Sequence, residues 1–223
     1  MFTLLPIAAL GFFLGMRHAT DPDHVIAVGT IVSRERRIGA AALIGVLWGV
    51  GHTCTILLAG GAIVTFGLIV PPRVGLAMEL SVAFMLIVLG ALSIAGLQRP
   101  PAAPPLGSLD RRFGRLGLYQ AARPFLVGVV HGLAGSAAVA LLVVATIHDA
   151  LLALAYLLVF GLGTIAGMMV ITAAIALPFA YTARRLLGVN RSLALAAGLL
   201  SVGFGLFLVY QIGFVGGLFT GRY

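Results

Sequence analysis

The sequence predicts an all-α polytopic membrane protein: six transmembrane helices forming a 3+3 inverted repeat, the first helix kinked at Pro22. Three observations predict it. The 223 residues are 61% hydrophobic and 9% charged, with mean hydropathy +1.15, whereas a soluble domain carries about 25% charged residues. Six apolar runs are long enough, at roughly 20 residues each, to cross a bilayer as helices. Finally, arginine is crowded into alternate connections between these runs, and short sequence echoes recur at a near-constant offset.

The spans are expected at 3–32, 38–67, 74–97, 124–147, 150–180 and 192–217. The first is irregular. Residues 2–16 as helix rise only about 22 Å, against roughly 30 Å of hydrocarbon. The helix must therefore continue through "RHATDPDH" (17–24) into "VIAVGTIV", which puts that charged motif inside the membrane, in the inner half of the span. The second span carries "GVGHTC", with His52 about halfway along and Gly49 and Gly51 beside it to admit a close neighbour. Glu79 lies near the outer end of the third span, where it is a candidate ion partner for Arg17. The connection 98–123 holds four of the ten prolines and five arginines, and reads as a surface link with an in-plane amphipathic turn around Leu109–Leu118. The organisation expected is a single transmembrane domain, 1–223. Its three-helix repeats, 1–97 and 124–223, are joined by the linker 98–123.

Charge gives the orientation. All 14 basic residues are arginine, and eleven of them lie in the first, third and fifth connections (Arg34, Arg36 and Arg37; Arg99, Arg111, Arg112, Arg115 and Arg123; Arg184, Arg185 and Arg191). Arg73 and Arg222 lie on the opposite side. The positive-inside rule then puts both termini outside and the 98–123 link in the cytoplasm of a cell-membrane protein. The net charge of +8 is read as orientation rather than as nucleic-acid binding. The start "MFTLLPIAALGFFLG" lacks a basic region, so no secretory signal peptide is expected. Cys54 stands alone, which excludes an intrachain disulfide, and it reads as a packing residue.

The halves echo one another. "FLGMRH" (13–18) matches "LVGVVH" (126–131) at an offset of 113, pairing Gly15 with Gly128 and His18 with His131. "WGVGHT" (48–53) matches "FGLGTI" (160–165) at 112, and Gly90 matches Gly205 at 115. Three spans per copy is an odd number, so the second copy inserts upside down. Inverted repeats of this kind put a transporter's substrate near the midplane, where broken helices meet.

Each charge placed inside the membrane costs about 2.5–3.5 kcal/mol on insertion scales, so intramembrane ionisable groups read as functional. Pro22 removes a backbone hydrogen bond between two aspartates and kinks or opens the helix there. In a continuing helix His18, Asp21 and His24 share a 120° arc, with Asp23 outside it. Imidazole nitrogen with carboxylate oxygen is a ligand set for first-row divalent transition metals, whereas magnesium or calcium calls for oxygen alone. The expected metal ligands are His18 and His24 with at least one of Asp21 and Asp23, and His52 of the second span can complete the site. His131 is a candidate ligand or internal hydrogen-bond partner, and His148 with Asp149 reads as an outer-loop turn. Two other readings of these residues are an intramembrane zinc hydrolase using Asp21 or Asp23 as base, although HExxH is absent, and a haem protein pairing His18 or His24 with His52 or His131. With no lysine the chain has no Walker loop and hydrolyses no ATP of its own.

The motif His18…Asp23-His24 within "RHATDPDH", followed by "GHT" in the next span, resembles the nickel/cobalt transporter (NiCoT) superfamily. "VHGLAGSAA" (130–138) resembles its short urease-accessory branch, and the likeness covers nearly the whole chain. The resemblance implies a secondary transporter that takes up Ni2+ or Co2+, not an enzyme. It also implies that His18, Asp23 and His24 are needed for transport and that His52 is the "GHT" histidine. The acidic signature "LGxDTATE" of the long members is absent, spans four and five holding no acid except Asp149. Efflux relatives carry a histidine-rich cytoplasmic loop. The 98–123 link has no histidine, which favours uptake. On this reading the ion is cargo, no prosthetic group is needed, and the partners are the lipid bilayer and cytoplasmic metallochaperones.

Overall fold

The computed structural model describes residues 4–68, 70–97, 115–134, 147 and 149–221. Among them seven α-helices follow in order: α1 (Leu4–His18), α2 (Pro22–Val32), α3 (Ile38–Phe66), α4 (Pro72–Gly96), α5 (Arg115–Leu133), α6 (Ala150–Arg185) and α7 (Leu187–Tyr210), which continues as a π-helical turn, Gln211–Val215. No strand occurs among the described residues. Four helices are long and apolar enough to cross a membrane: α3, α4, α6, and α7 with its extension. Leu58, Phe84, Leu92, Leu158 and Phe207 stand exposed on their outer faces. On a soluble surface so much apolar area would drive association, whereas lipid accepts it. This is a membrane protein.

The start of the chain corrects the expected kink. Residues 3–32 do not form one bent helix: α1 stops at His18 and α2 starts afresh at Pro22. Proline carries no N–H, and inside a helix its ring would clash with the carbonyl four residues back, here that of His18. The first position of a new helix avoids both problems, because the N–H there has no partner in any case. Asp21, held before proline, is extended at φ −59° and ψ 143°. The open end of α1 is closed locally: Thr20 N–H donates to the Arg17 carbonyl at 2.8 Å and Asp21 N–H to that of His18 at 3.1 Å.

The fourth element also differs in its bounds. α5 begins at Arg115, inside the stretch expected to be a connection, and runs past Pro124 to Leu133. "RLGLYQAAR" contains nothing that stops a helix, and Pro124 costs α5 one hydrogen bond without ending it. Residues 98–114 and 135–146 lie outside the described residues, and with them most of the expected surface link and of its in-plane turn.

Helix α3 is the centre of the packing, set against α6 on one side and α5 on another; α1 lies on α6, α4 on α7, and α2 wedges among α4, α6 and α7. Glycine allows the closest approaches. A Cβ on Gly15 would overlap the Phe160 carbonyl, and one on Gly128 would overlap that of Trp48. Likewise Gly51 meets the Phe125 carbonyl and Gly163 that of Phe12. Gly90 meets Gly198 as Gly205 meets Ala83. Each such pair is one contact repeated in the other half of the chain, at the offsets of the sequence echoes. Small residues let membrane helices meet backbone to backbone, where dispersion and weak polar contacts replace the hydrophobic drive.

Between α2 and α3 the chain is tied to the end of α4. The Arg34 guanidinium donates to the Ser93 carbonyl at 2.8 Å and lies against Gly96, a cation at a helix C-terminus. Burial, and then the nearby Arg123, hold this guanidinium below the ordinary arginine value. The buried Glu35 carboxylate accepts from the N–H groups of Arg36 and Arg37, both at 2.9 Å, and fixes the approach to α3.

Candidate metal centre

The break between α1 and α2 decides where the motif's side chains go. His18 ends α1 and is buried; its Nδ1 lies 2.9 Å from Asp21 Oδ2, and its Nε2 lies 2.9 Å from Nε2 of His52. His52 is fully buried, about midway along the 29 residues of α3, a helix of about 43 Å. That contact sets the depth of the break: it sits halfway along a membrane-crossing helix. On the far side of the break, Asp23 and His24 form the first turn of α2. His24 Nδ1 is 3.1 Å from Asp23 Oδ1.

Helix α5 brings the fourth imidazole. Gly128 and Gly132 let it lie directly on α3, against Trp48 and against the His52 backbone. His131, fully buried, points its Nε2 at Asp23 Oδ2, 3.4 Å away. His24 is the hub of the cluster, its ring centre 4.8 Å from that of His18, 5.2 Å from His52 and 4.6 Å from His131. Trp48 stacks on His24 at 6.0 Å and Phe160 lies 5.6 Å from His18, so two aromatic rings wall the cluster.

The polar atoms here are not satisfied among themselves. His24 Nε2, His52 Nδ1 and both ring nitrogens of His131 are buried without a hydrogen-bond partner. Unpaired buried polar atoms are uncommon because each carries an undischarged desolvation cost, and a ligand is one explanation for them. Two sets of side chains can each offer three ligand atoms lying within 4.8 Å of one another: His18, His24 and His52, and Asp23, His24 and His131. Asp21, with its side chain 39% exposed, suits a different task. By accepting from Nδ1–H of His18 it fixes the tautomer that leaves the Nε2 lone pair free, the usual part of a carboxylate behind a metal-binding histidine.

Neither a protein-family model nor a solved structure matches the chain. A curated relative does. Urease accessory protein UreH of Bacillus sp. (strain TB-90) is 34% identical over 227 residues, spanning 97% of this chain and 96% of that protein. The chain belongs to the UreH family. This is the urease-accessory branch to which "VHGLAGSAA" pointed, within the superfamily that "RHATDPDH" and "GHT" suggested, and the match spans nearly the whole chain.

The expected residues fare differently. His18, Asp23, His24 and His52 converge, and His131 joins them through Asp23 and His24. Asp21 touches only His18. Cys54 faces outward, away from the cluster, rather than into packing. Arg17 is exposed and no ion pair links it to Glu79 among the described residues. His148 lies outside them. Asp149 caps α6 through the N–H groups of Leu151 and Leu152. Trp48 and Phe160 went unread in the sequence. The available signal was that Trp48 precedes His52 by one helical turn on the same face, and Phe160 is its counterpart in the second half.

Proposed function

We propose that this protein takes up Ni2+, with Co2+ as a second substrate, by secondary transport through the buried histidine–aspartate cluster. The observation that carries the reading is the convergence of four buried imidazoles and one carboxylate at a helix break halfway along the membrane-crossing α3. Such donors suit nickel or cobalt, and a kinked or broken helix at mid-depth is where transporters keep their cargo. Kinship with a urease accessory protein fits the supply of a metal ion for another protein's use, with cytoplasmic metallochaperones receiving it. It does not call for an enzyme.

His18, Asp23, His24 and His52 are the ligands in this reading, joined by His131, while Asp21 holds His18 in place. Asp23 and Asp21 offset the charge of the arriving cation. A haem would need room between its axial histidines, whereas His18 and His52 meet directly at 2.9 Å, which favours a bare ion. Two positive charges crossing a potential of 100 mV, negative inside, gain about 4.6 kcal/mol, enough to drive accumulation without ATP.

The architecture that serves this function is six crossings: α1 with α2 as one broken span, then α3, α4, α5 with the chain after it, α6 and α7. The two halves are inverted repeats. The reciprocal glycine contacts support this, since each close approach has its partner at the repeat offset. Both termini lie outside, and the arginine-rich connections, that between α4 and α5 included, lie in the cytoplasm.

The test is metal analysis of the purified protein together with Ni2+ and Co2+ uptake into proteoliposomes. Saturable Ni2+ entry above empty vesicles is expected. Tightly held zinc that never exchanges, with no uptake, would overturn the reading.

A further inference from the structure

The two ligand sets are not separate sites. They share His24, and nothing else: His18 and His52 lie on one side of it, Asp23 and His131 on the other. A neutral imidazole has a single lone pair, so the shared His24 ligates one ion at a time, and the cluster holds one ion in either of two positions. Each position is complete with three donors, and first-row transition metals accept three protein ligands with the remaining places open to water. We propose that the ion steps between the two stations by pivoting on His24, and that His131 is the ligand that draws it off the first. This inference rests on the transport reading above.

The surroundings give the order. Asp21, the most exposed carboxylate of the cluster, lies 2.9 Å from His18, whereas the Asp23 side chain is 17% exposed, hydrogen-bonded to the fully buried His24 and 3.4 Å from the fully buried His131. Asp21 can draw a cation toward His18, which makes the buried His18–His24–His52 set the first station of the proposed relay. The Asp23–His24–His131 station adds a carboxylate, a formal negative charge that the first set lacks. It is also the only one with a ligand from the second half of the chain. Relative movement of α5 against α1 and α3 therefore changes the second station while leaving the first intact.

The consequence is a split between binding and transport that a single site cannot produce. His52→Ala removes one station and His131→Ala removes the other, so each single variant still has three donors. Purified full-length protein is titrated with Ni2+ by calorimetry, and uptake is measured in proteoliposomes. Each single variant is expected to bind one Ni2+ with affinity reduced by less than about tenfold, while its uptake falls by about tenfold or more. His24→Ala and the double variant His52→Ala/His131→Ala are expected to lose binding as well. His131→Gln, which keeps bulk and polarity at the position, is carried alongside and must show the same split if folding is not at fault. Wild-type uptake from His131→Ala overturns the relay, as does loss of binding in His52→Ala equal to that in the double variant. No Ni2+ entry with the wild-type protein overturns the transport reading itself, and the relay with it.

Discussion

At the scale of residues, metal binding turns on which nitrogen of each histidine is free. Asp21 accepts from Nδ1 of His18 at 2.9 Å, so Nε2 is the atom left to face the cluster. Asp21→Ala removes that constraint without removing a ligand. Its Ni2+ affinity is expected to drop roughly 10–100-fold, measured by calorimetry, while Cys54→Ala on the outer face changes nothing. The proton is the metal's competitor at every imidazole. Only the neutral ring has a lone pair to give, so lowering the pH below the ordinary histidine range, near about 6.5, is expected to weaken binding. Raising it restores binding. Asp21 facing His18, and Asp23 facing His24 and His131, are the charged groups that tune this competition. Binding that stays undiminished far below the ordinary histidine range, in protein that remains folded, would exclude the imidazoles as ligands. His18, His24 and His52 were legible in the sequence because ionisable groups stand out against so apolar a background. The division of labour between the aspartates was not. On a continuous helix Asp21 falls within the histidine arc and Asp23 outside it; the break re-aims both, giving Asp21 to His18 alone and Asp23 to His24 and His131.

At the scale of elements, Pro22 separates two short helices rather than bending one. The proline signal was legible as a disturbance, but whether it bends or ends a helix depends on what the freed backbone can find. Here Thr20 and Asp21 donate back to Arg17 and His18, and the break closes on itself. Pro22→Ala restores the missing N–H and permits a helix through the motif. The variant is expected to fold, since the alanine costs nothing in a helix, yet to lose most Ni2+ uptake as Asp23 turns away from His131. Unchanged uptake kinetics would take the break out of the mechanism. His131 shows the opposite case. Its place was hinted at by the echo of "FLGMRH" in "LVGVVH", but only the close approach of α5 to α3 at Gly51, Gly128 and Gly132 brings it to Asp23. That approach depends on backbones meeting, for which one sequence carries little sign beyond the glycines themselves. The start of α5 at Arg115 was hidden for a related reason: prolines and arginines marked the connection, and nothing marked where it becomes helix again.

At the scale of the whole molecule, the fold class was legible because membrane insertion leaves the strongest signal a sequence can carry, long apolar runs with arginine between them. The proposed inverted repeat showed in the sequence only as short echoes, and the reciprocal contacts give those echoes physical sense. Gly15 packs on Phe160 as Gly128 packs on Trp48, so each half docks on the other through the same surfaces. If both termini lie outside, as proposed, single cysteines placed at Arg36 and Arg184 in a Cys54→Ala background are expected to react with impermeant thiol reagents from the cytoplasmic side only, and one at Arg73 from the outside. The reverse pattern would invert the proposed topology. The central claim is that a cation crosses at the His24 cluster. Its most direct measurement is Ni2+ entry into proteoliposomes under an imposed potential, negative inside, for the wild-type protein and His24→Ala side by side. Saturable, voltage-driven entry that disappears in His24→Ala is the expected result; equal entry in both proteins would contradict the account.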